Sequence, residues 1–227
     1  MTFGPNAMAA AIAIALLAIM PVRAEDATSS PISSDPPAGT YRLDTAHARL
    51  MFSVSHLGFS EYTAFFRDFS AVLVFDPAAP EEMLLEAKVD PASVETLYPD
   101  AALDFNAVIA GESFLDAANF PELSFKSTAI TLTGTNKAAV KGDLTLHGVT
   151  KPVTLRVRYN GGYAGHPLDP GGARIGFSAE GLLSRSDFGI SFGIPAAGTT
   201  LGVGDLVTIR IEAEFVNPDV SAVQVGP

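Results

Sequence analysis

The chain reads as an all-β protein, a closed antiparallel barrel of about eight strands capped by one or two short helices around residues 98–118. Three observations carry this. Apolar and polar residues alternate with a period of two along most of the chain, as strands with one buried face require. The segment Gly142–Leu155 (GDLTLHGVTKPVTL) reads as a β-hairpin with Leu144 and Leu146 on one face and Asp143, Thr145 and His147 on the other. No helix lies between successive strands, so the sheet is antiparallel, and closure removes the edges that an open sheet would expose.

In chain order, the first 22 residues carry no charged side chain, and Ala7 to Met20 is an unbroken apolar run of 14. Small residues precede the acidic stretch at Glu25, so residues 1–24 read as a secretory signal peptide and the destination as the periplasm. Cleavage after Ala24 and retention as an anchor are both open, although a spanning helix wants about 20 apolar residues. Residues 25–38, rich in Ser, Pro, Asp and Ala, read as a disordered spacer, 39–217 as the barrel domain and 218–227 as a flexible tail.

Within the domain, Leu50, Phe52 and Val54 share a face, as do Phe69, Ala71, Leu73 and Phe75, then Leu85, Ala87 and Val89. Leu123 to Thr133 reads as a strand that presents Phe125 inward. After the hairpin turn, placed at Gly148–Lys151, Val153, Leu155, Val157 and Tyr159 alternate, followed by Ile175, Phe177, Ala179 and Gly181. The last strand is the cleanest, with Val207, Ile209, Ile211, Ala213 and Phe215 opposed to Thr208, Arg210, Glu212 and Glu214. The helix is read over Tyr98–Gly111, with Ala102, Phe105, Val108 and Ile109 on one face and Gly111 as its stop, and a second helical turn over Phe114–Ala118.

A barrel of this size either fills with side chains or holds one small ligand. Fifteen phenylalanines supply bulk, while Ala71, Ala87, Ala179, Gly142 and Gly181 on inward faces leave room. Composition alone leaves both readings open.

The formal net charge of −11 becomes −12 once the leader with Arg23 is removed, which repels phosphate backbones and argues against nucleic acid as a partner. The chain has no cysteine, which excludes disulfides and thiolate chemistry. No nucleophile elbow, phosphate loop or clustered acid–base pair is present, and the chain reads as a binding protein and not an enzyme. His47 and His56 lie nine residues apart on extended chain, roughly 30 Å, too far to share a metal ion. His147 reads as a holder of the hairpin turn.

Four segments resemble one family, the YceI-like polyisoprenoid-binding proteins of the bacterial envelope. They are Tyr41–His47 with Phe52–Gly58; Phe114–Asp116 running to Phe120–Ser127; the hairpin; and Ser184–Ile190 (SRSDFGI). Departures from the family pattern fall at Tyr41, Ala64, Ala71, Asn106 and Val108. The resemblance implies a lipocalin-like barrel whose tunnel takes a long isoprenoid chain, such as that of ubiquinone or a polyprenyl lipid, with no covalent cofactor.

On alternation and resemblance together, the tunnel wall is expected to comprise Phe52, Val54, Leu73, Phe75, Phe125, Leu144, Leu146, Leu155, Val157, Ile175, Phe177, Ile209 and Ile211. Phe188 is expected to line or plug the barrel, with the segment Tyr98–Phe120 as a lid. Arg67, Arg185 and Asp187 are candidates either for orienting a head group or for pinning a loop, Arg185 and Asp187 pairing with each other or with Asp44 or Arg67. An envelope protein or a membrane surface stands as a further partner. A filled-core interaction protein and, further off, a quinone- or lipid-modifying enzyme are the alternative functions, and the oligomeric state, a dimer included, is open.

Overall fold

The computed structural model describes residues 35–166, 169 and 171–220. The leader expected at 1–24, most of the spacer and the end of the tail lie outside the described residues. Barrel strands run from Gly39 to Asn217. Two residues before the first of them, Pro37 is already held, its carbonyl accepting from the buried Tyr41 hydroxyl at 2.8 Å.

Eleven strands form one antiparallel sheet closed by pairing of the first with the last. Three of the barrel's eight staves are long strands each broken once. β1 (Gly39–Leu43) and β2 (Arg49–His56) are separated by a 3₁₀ turn at Thr45–His47, and both pair with β11 (Val203–Asn217). β3 (Ser60–Phe66) and β4 (Phe69–Phe75) follow antiparallel to β2 and β1. β5 (Leu84–Val89) and β6 (Val94–Glu95) lie beside β4 and β3, split by a Pro91–Ser93 turn. The remaining staves are β7 (Leu123–Gly134), β8 (Lys137–Leu146), β9 (Val149–Tyr163), β10 (Ala173–Ser184) and β11, each paired with its neighbour in sequence. The result is an up-and-down meander, as antiparallel strands with short connections favour.

The inward faces follow the alternation read from the sequence, and register confirms it. Leu50 faces Ile211, Phe52 faces Ile209 and Phe177 faces Ala213, so like faces meet across the ladder.

The β8–β9 hairpin departs from expectation at its turn. The loop is two residues, His147 and Gly148, between the paired Leu146 and Val149, with φ of 51° and 73°. Two successive positive φ values are the type I′ geometry that matches strand twist, and glycine supplies the second at no steric cost. His147 therefore leaves the strand face altogether. Its Nδ1 lies 3.2 Å from the Phe188 carbonyl and its ring 4.7 Å from that of Phe120, so it fastens neighbouring loops to the hairpin instead of bonding within the turn.

The helix is also shorter than expected. α1 spans Phe105–Ala110, because Pro99 disfavours helix at the residue before it, the Asp100 carboxylate closes a turn on Ala102, and Asp104 caps Ala107 at 3.0 Å. Ala102 falls outside the helix and Val108 faces outward, while Phe105 and Ile109 face the barrel. Phe114–Ala118 forms hydrogen-bonded turns and no second helix, since Asp116 sits at φ 45°. Beyond the short β6 the seam between β6 and β7 has no ladder, and α1 with the following turns covers it: Ile109, Leu115 and Leu123 pack against the cluster of Ala64, Phe66 and Val94. Among the described residues no helix is long and apolar enough to cross a membrane.

Candidate functional site: two chambers inside the barrel

The barrel is hollow, which decides between the two readings that composition left open. A chamber of about 580 Å³ occupies the end covered by α1, and one of about 370 Å³ the end formed by the β4–β5 connection and the β7–β8 turn. Leu50, Leu85, Ala87, Val89, Leu155 and Ile211 border both chambers and form a waist between them.

Of the residues expected on the tunnel wall, Phe52, Val54, Phe125, Leu144, Leu146 and Ile209 line the larger chamber. Leu73, Phe75, Val157 and Phe177 line the smaller one, and Leu155 and Ile211 reach both. Two residues are elsewhere. Ile175 is fully buried among Tyr41, Leu73, Phe75 and Phe215, lying over Gly162, whose missing Cβ would be 2.7 Å from Ile175 Cγ2. Phe188 packs into the wall with Leu146, Val153, Leu155 and Ile190, because the 3₁₀ turn Arg185–Phe188 ends on left-handed Gly189 and folds the ring under the chain.

The inward glycines do not simply leave space. A Cβ on Gly142 would come within 2.4 Å of Phe125 Cζ, and one on Gly181 within 2.7 Å of Leu155 Cδ2. Each glycine recesses a large neighbour into the wall, which keeps that side chain from crowding the bore.

Several wall residues carry no strong signal in the sequence. Tyr62, Ala64 and Phe66 on β3 show a short alternation that identifies them in retrospect. Met83, Phe114 and Leu115 come from turns, where alternation gives no face, and Ile130 and Leu132 lie in β7 beyond a register shift between Ser127 and Ala129 that reverses the face Phe125 sets.

Polar groups on the larger chamber's wall are few and mostly spoken for. The Tyr62 hydroxyl donates to the Thr96 carbonyl at 3.2 Å, and the Thr96 amide and hydroxyl both donate to Asn106 Oδ1, at 2.8 and 2.6 Å. Asn106 donates in turn to Glu95 Oε1 at 3.2 Å, so this departure from the family pattern ties α1 to β6.

The three charged candidates separate. Arg67 is exposed at the break between β3 and β4, with Nη1 3.7 Å from Glu95 Oε2, and lines neither chamber. Asp187 is exposed and accepts from Lys151 Nζ at 3.0 Å, not from Arg185. Arg185 alone of the three lies on a chamber wall, 5 % exposed, and its partners are backbone carbonyls: Gly204, Ile190 and Val203, at 2.8, 3.2 and 2.8 Å. Burial pushes its pKa down.

A second charged cluster was not legible in the sequence. Arg174 Nη1 donates to Asp44 Oδ2 at 2.7 Å and Glu214 Oε2 at 2.6 Å, Nε donates to Asp169 at 2.6 Å, and the Tyr163 hydroxyl donates to Asp169 as well. Asp44, His47 and Glu214 bring donor atoms within 4.8 Å of one another, as a metal site would, but the guanidinium already supplies the positive charge there. Arg174, assisted by His47, holds the Asp44 carboxyl down to about 2, and Arg174 with Tyr163 holds Asp169 well below the usual carboxylate range. The cluster joins β10, β11 and the end of β1, and is structural.

Comparison with known proteins gives a consistent picture. A family model described as a YceI-like domain matches residues 41–215. A UPF0312 protein of Pseudomonas savastanoi pv. phaseolicola is 39% identical over 165 residues, 71% of this chain and 82% of that protein. Among solved structures, Burkholderia cenocepacia BcnA aligns with a TM-score of 0.63 at 27% identity, covering 76% of this chain and 98% of that one. A polyisoprenoid binding domain from Saccharophagus degradans, implicated in plant cell wall breakdown, aligns with a TM-score of 0.53 at 17% identity, over 78% and 98% of the two chains, a likeness of fold.

Proposed function

The chain belongs to the YceI-like family, and from that premise we propose that its barrel holds one long isoprenoid chain, of a quinone or a polyprenyl lipid, and carries or stores it in the bacterial envelope. The observation that supports this reading is the pair of apolar chambers meeting at a waist inside one closed barrel. A long, slender apolar chain fits such a bore better than a compact ligand does. Each CH₂-sized group moved from water to this wall is worth roughly 0.8 kcal/mol, before the cost of ordering the chain. Affinity then grows with chain length until the bore is full, and chamber length sets specificity. The shared fold with a polyisoprenoid binding domain agrees with this ligand class. The apolar N-terminal run agrees with export to the periplasm.

The test is direct. Protein purified from its native host is extracted with organic solvent and the extract analysed by mass spectrometry, while emptied protein is titrated with prenyl chains of increasing length. An isoprenoid in the extract and affinity rising with each unit are expected. No isoprenoid in the extract together with no saturable binding of any chain would sink the proposal.

A further inference from the structure

Arg185 is the only arginine on the wall of either chamber among the described residues, and it has no carboxylate within 4.0 Å. A guanidinium carries five N–H donors. Three are taken by the carbonyls of Gly204, Ile190 and Val203, which leaves one N–H on each terminal nitrogen without a protein acceptor. Leu183, Ile190, Val203 and Val207 line the same chamber and offer no side-chain acceptor, and His56, which stands opposite Val203 in the ladder and also lines the chamber, makes no hydrogen bond to the guanidinium. The nearby carboxylate of Asp205, which helps to offset the charge, is committed to the Ser186 amide and hydroxyl, both at 2.8 Å.

A buried cation with unspent donors in an apolar chamber is costly unless something accepts from it. We propose that Arg185 anchors an oxygen-bearing head group, so that the ligand is an amphiphile with its head against Arg185 and its chain running past the waist into the smaller chamber. This rests on the carrier reading and adds polarity and direction to it. The carbonyl of Ile190 and those of Val203 and Gly204 at the start of β11 fix the guanidinium in place, which means its remaining donors are held ready at no further ordering cost. A quinone carbonyl and a prenyl phosphate share the required acceptor chemistry.

The full chain is titrated with three probes bearing one and the same four-unit prenyl chain: a prenylated benzoquinone, a prenyl phosphate and the prenyl hydrocarbon with no oxygen. For the wild type, at least one oxygen-bearing probe is expected to bind about tenfold tighter than the hydrocarbon, the worth of one charge-assisted hydrogen bond. Arg185→Met is expected to abolish that difference, the oxygen-bearing probes falling to the hydrocarbon's affinity in the same variant, with Arg185→Lys intermediate. Whichever oxygen-bearing probe carries the difference identifies the head group. Equal binding of all three probes by the wild type, or an equal loss for all three in Arg185→Met, overturns the anchor and leaves the carrier reading standing. Failure of every probe to bind the wild type sinks both.

Because Arg185 also pins its loop, a measurement on the wild type alone stands beside the variants. The carbonyl stretch of ¹³C-labelled benzoquinone probe is expected to fall to lower frequency when bound than in hydrocarbon solvent. An unshifted stretch overturns the quinone form, and the phosphate resonance of the prenyl phosphate, followed by ³¹P NMR, decides the other form in the same way.

Discussion

Phe125 Cζ lies where Gly142 has no side chain, 2.4 Å from the position a Cβ would occupy, with the Lys126 carbonyl oxygen 2.5 Å from that same position. One contact can be relieved by turning a ring, but the other is to backbone and cannot. Gly142→Ala is therefore expected to destabilise the barrel by about 1–3 kcal/mol, the usual cost of overpacking, and to push Phe125 into the larger chamber. Denaturant unfolding measures the first effect, and a lower affinity for prenyl chains in the protein that remains folded measures the second.

Ala87 borders both chambers at the waist. Ala87→Phe is expected to divide the bore, so that affinity stops rising once a chain fills one chamber, while short chains bind as in the wild type. Titration across a prenyl length series checks this. An unbroken rise with length in the variant would show that the chain does not pass the waist.

The Asp44 carboxyl is held at about 2, below its ordinary value of 3.8, chiefly by the hydrogen bond from Arg174. With the folded pKa depressed, the stabilisation is complete above pH 4 and is lost as pH falls through about 2. A shift of this size corresponds to about 2 kcal/mol for a group so little exposed. Unfolding free energies measured from pH 5 to pH 2 are expected to fall less steeply in Asp44→Asn than in the wild type, with the variant already less stable at pH 5.

Asn106 is the acceptor for both the amide and the hydroxyl of buried Thr96. Asn106→Ala leaves two buried donors unpaired, at about 1–3 kcal/mol each, and unfastens α1 from β6. Amide hydrogen exchange is expected to quicken across residues 96–115 while β8 to β11 keep their protection. Faster exchange throughout the barrel would instead mean that this contact supports the whole fold.

Alternation made the long strands legible. Along β11, Ile209 and Ile211 face in while Arg210 and Glu212 face out, and the same rule placed Phe52, Leu73 and Val157 on the bore. It overreached at Ile175, because a period of two tells which face a side chain takes but not whether a neighbour covers it, and it gives nothing for Phe188, which sits in a turn. Gly162 beneath Ile175 decides the first case and the turn at Gly189 the second. Helical periodicity over Tyr98–Gly111 likewise gave way to Pro99 and the two aspartates that close local turns. The Arg174 cluster left no trace in sequence, since its partners Asp44 and Glu214 stand 130 and 40 residues away. Arg185 was visible as a charged residue in a turn, yet only the carbonyl positions of Ile190, Val203 and Gly204 show which donors remain.

The stave formed by β1 and β2 is the first in the chain and closes against the last, with Leu43 opposite Phe215. Apart from β7, which meets β5 only after the long segment that carries α1, the other staves meet their predecessors across shorter connections, so the closing pairing has by far the longest loop, nearly the whole barrel domain. Such long-range contacts form late, after the cost of loop closure has been met. Until they do, the eventual lumen is an open trough whose greasy floor faces water, and a prenyl chain lying in that trough would favour the rolled form over the flat one. On the carrier reading proposed above, a chain bound only by the closed barrel would couple occupancy to folding, the cargo serving as a mandrel for the barrel that encloses it.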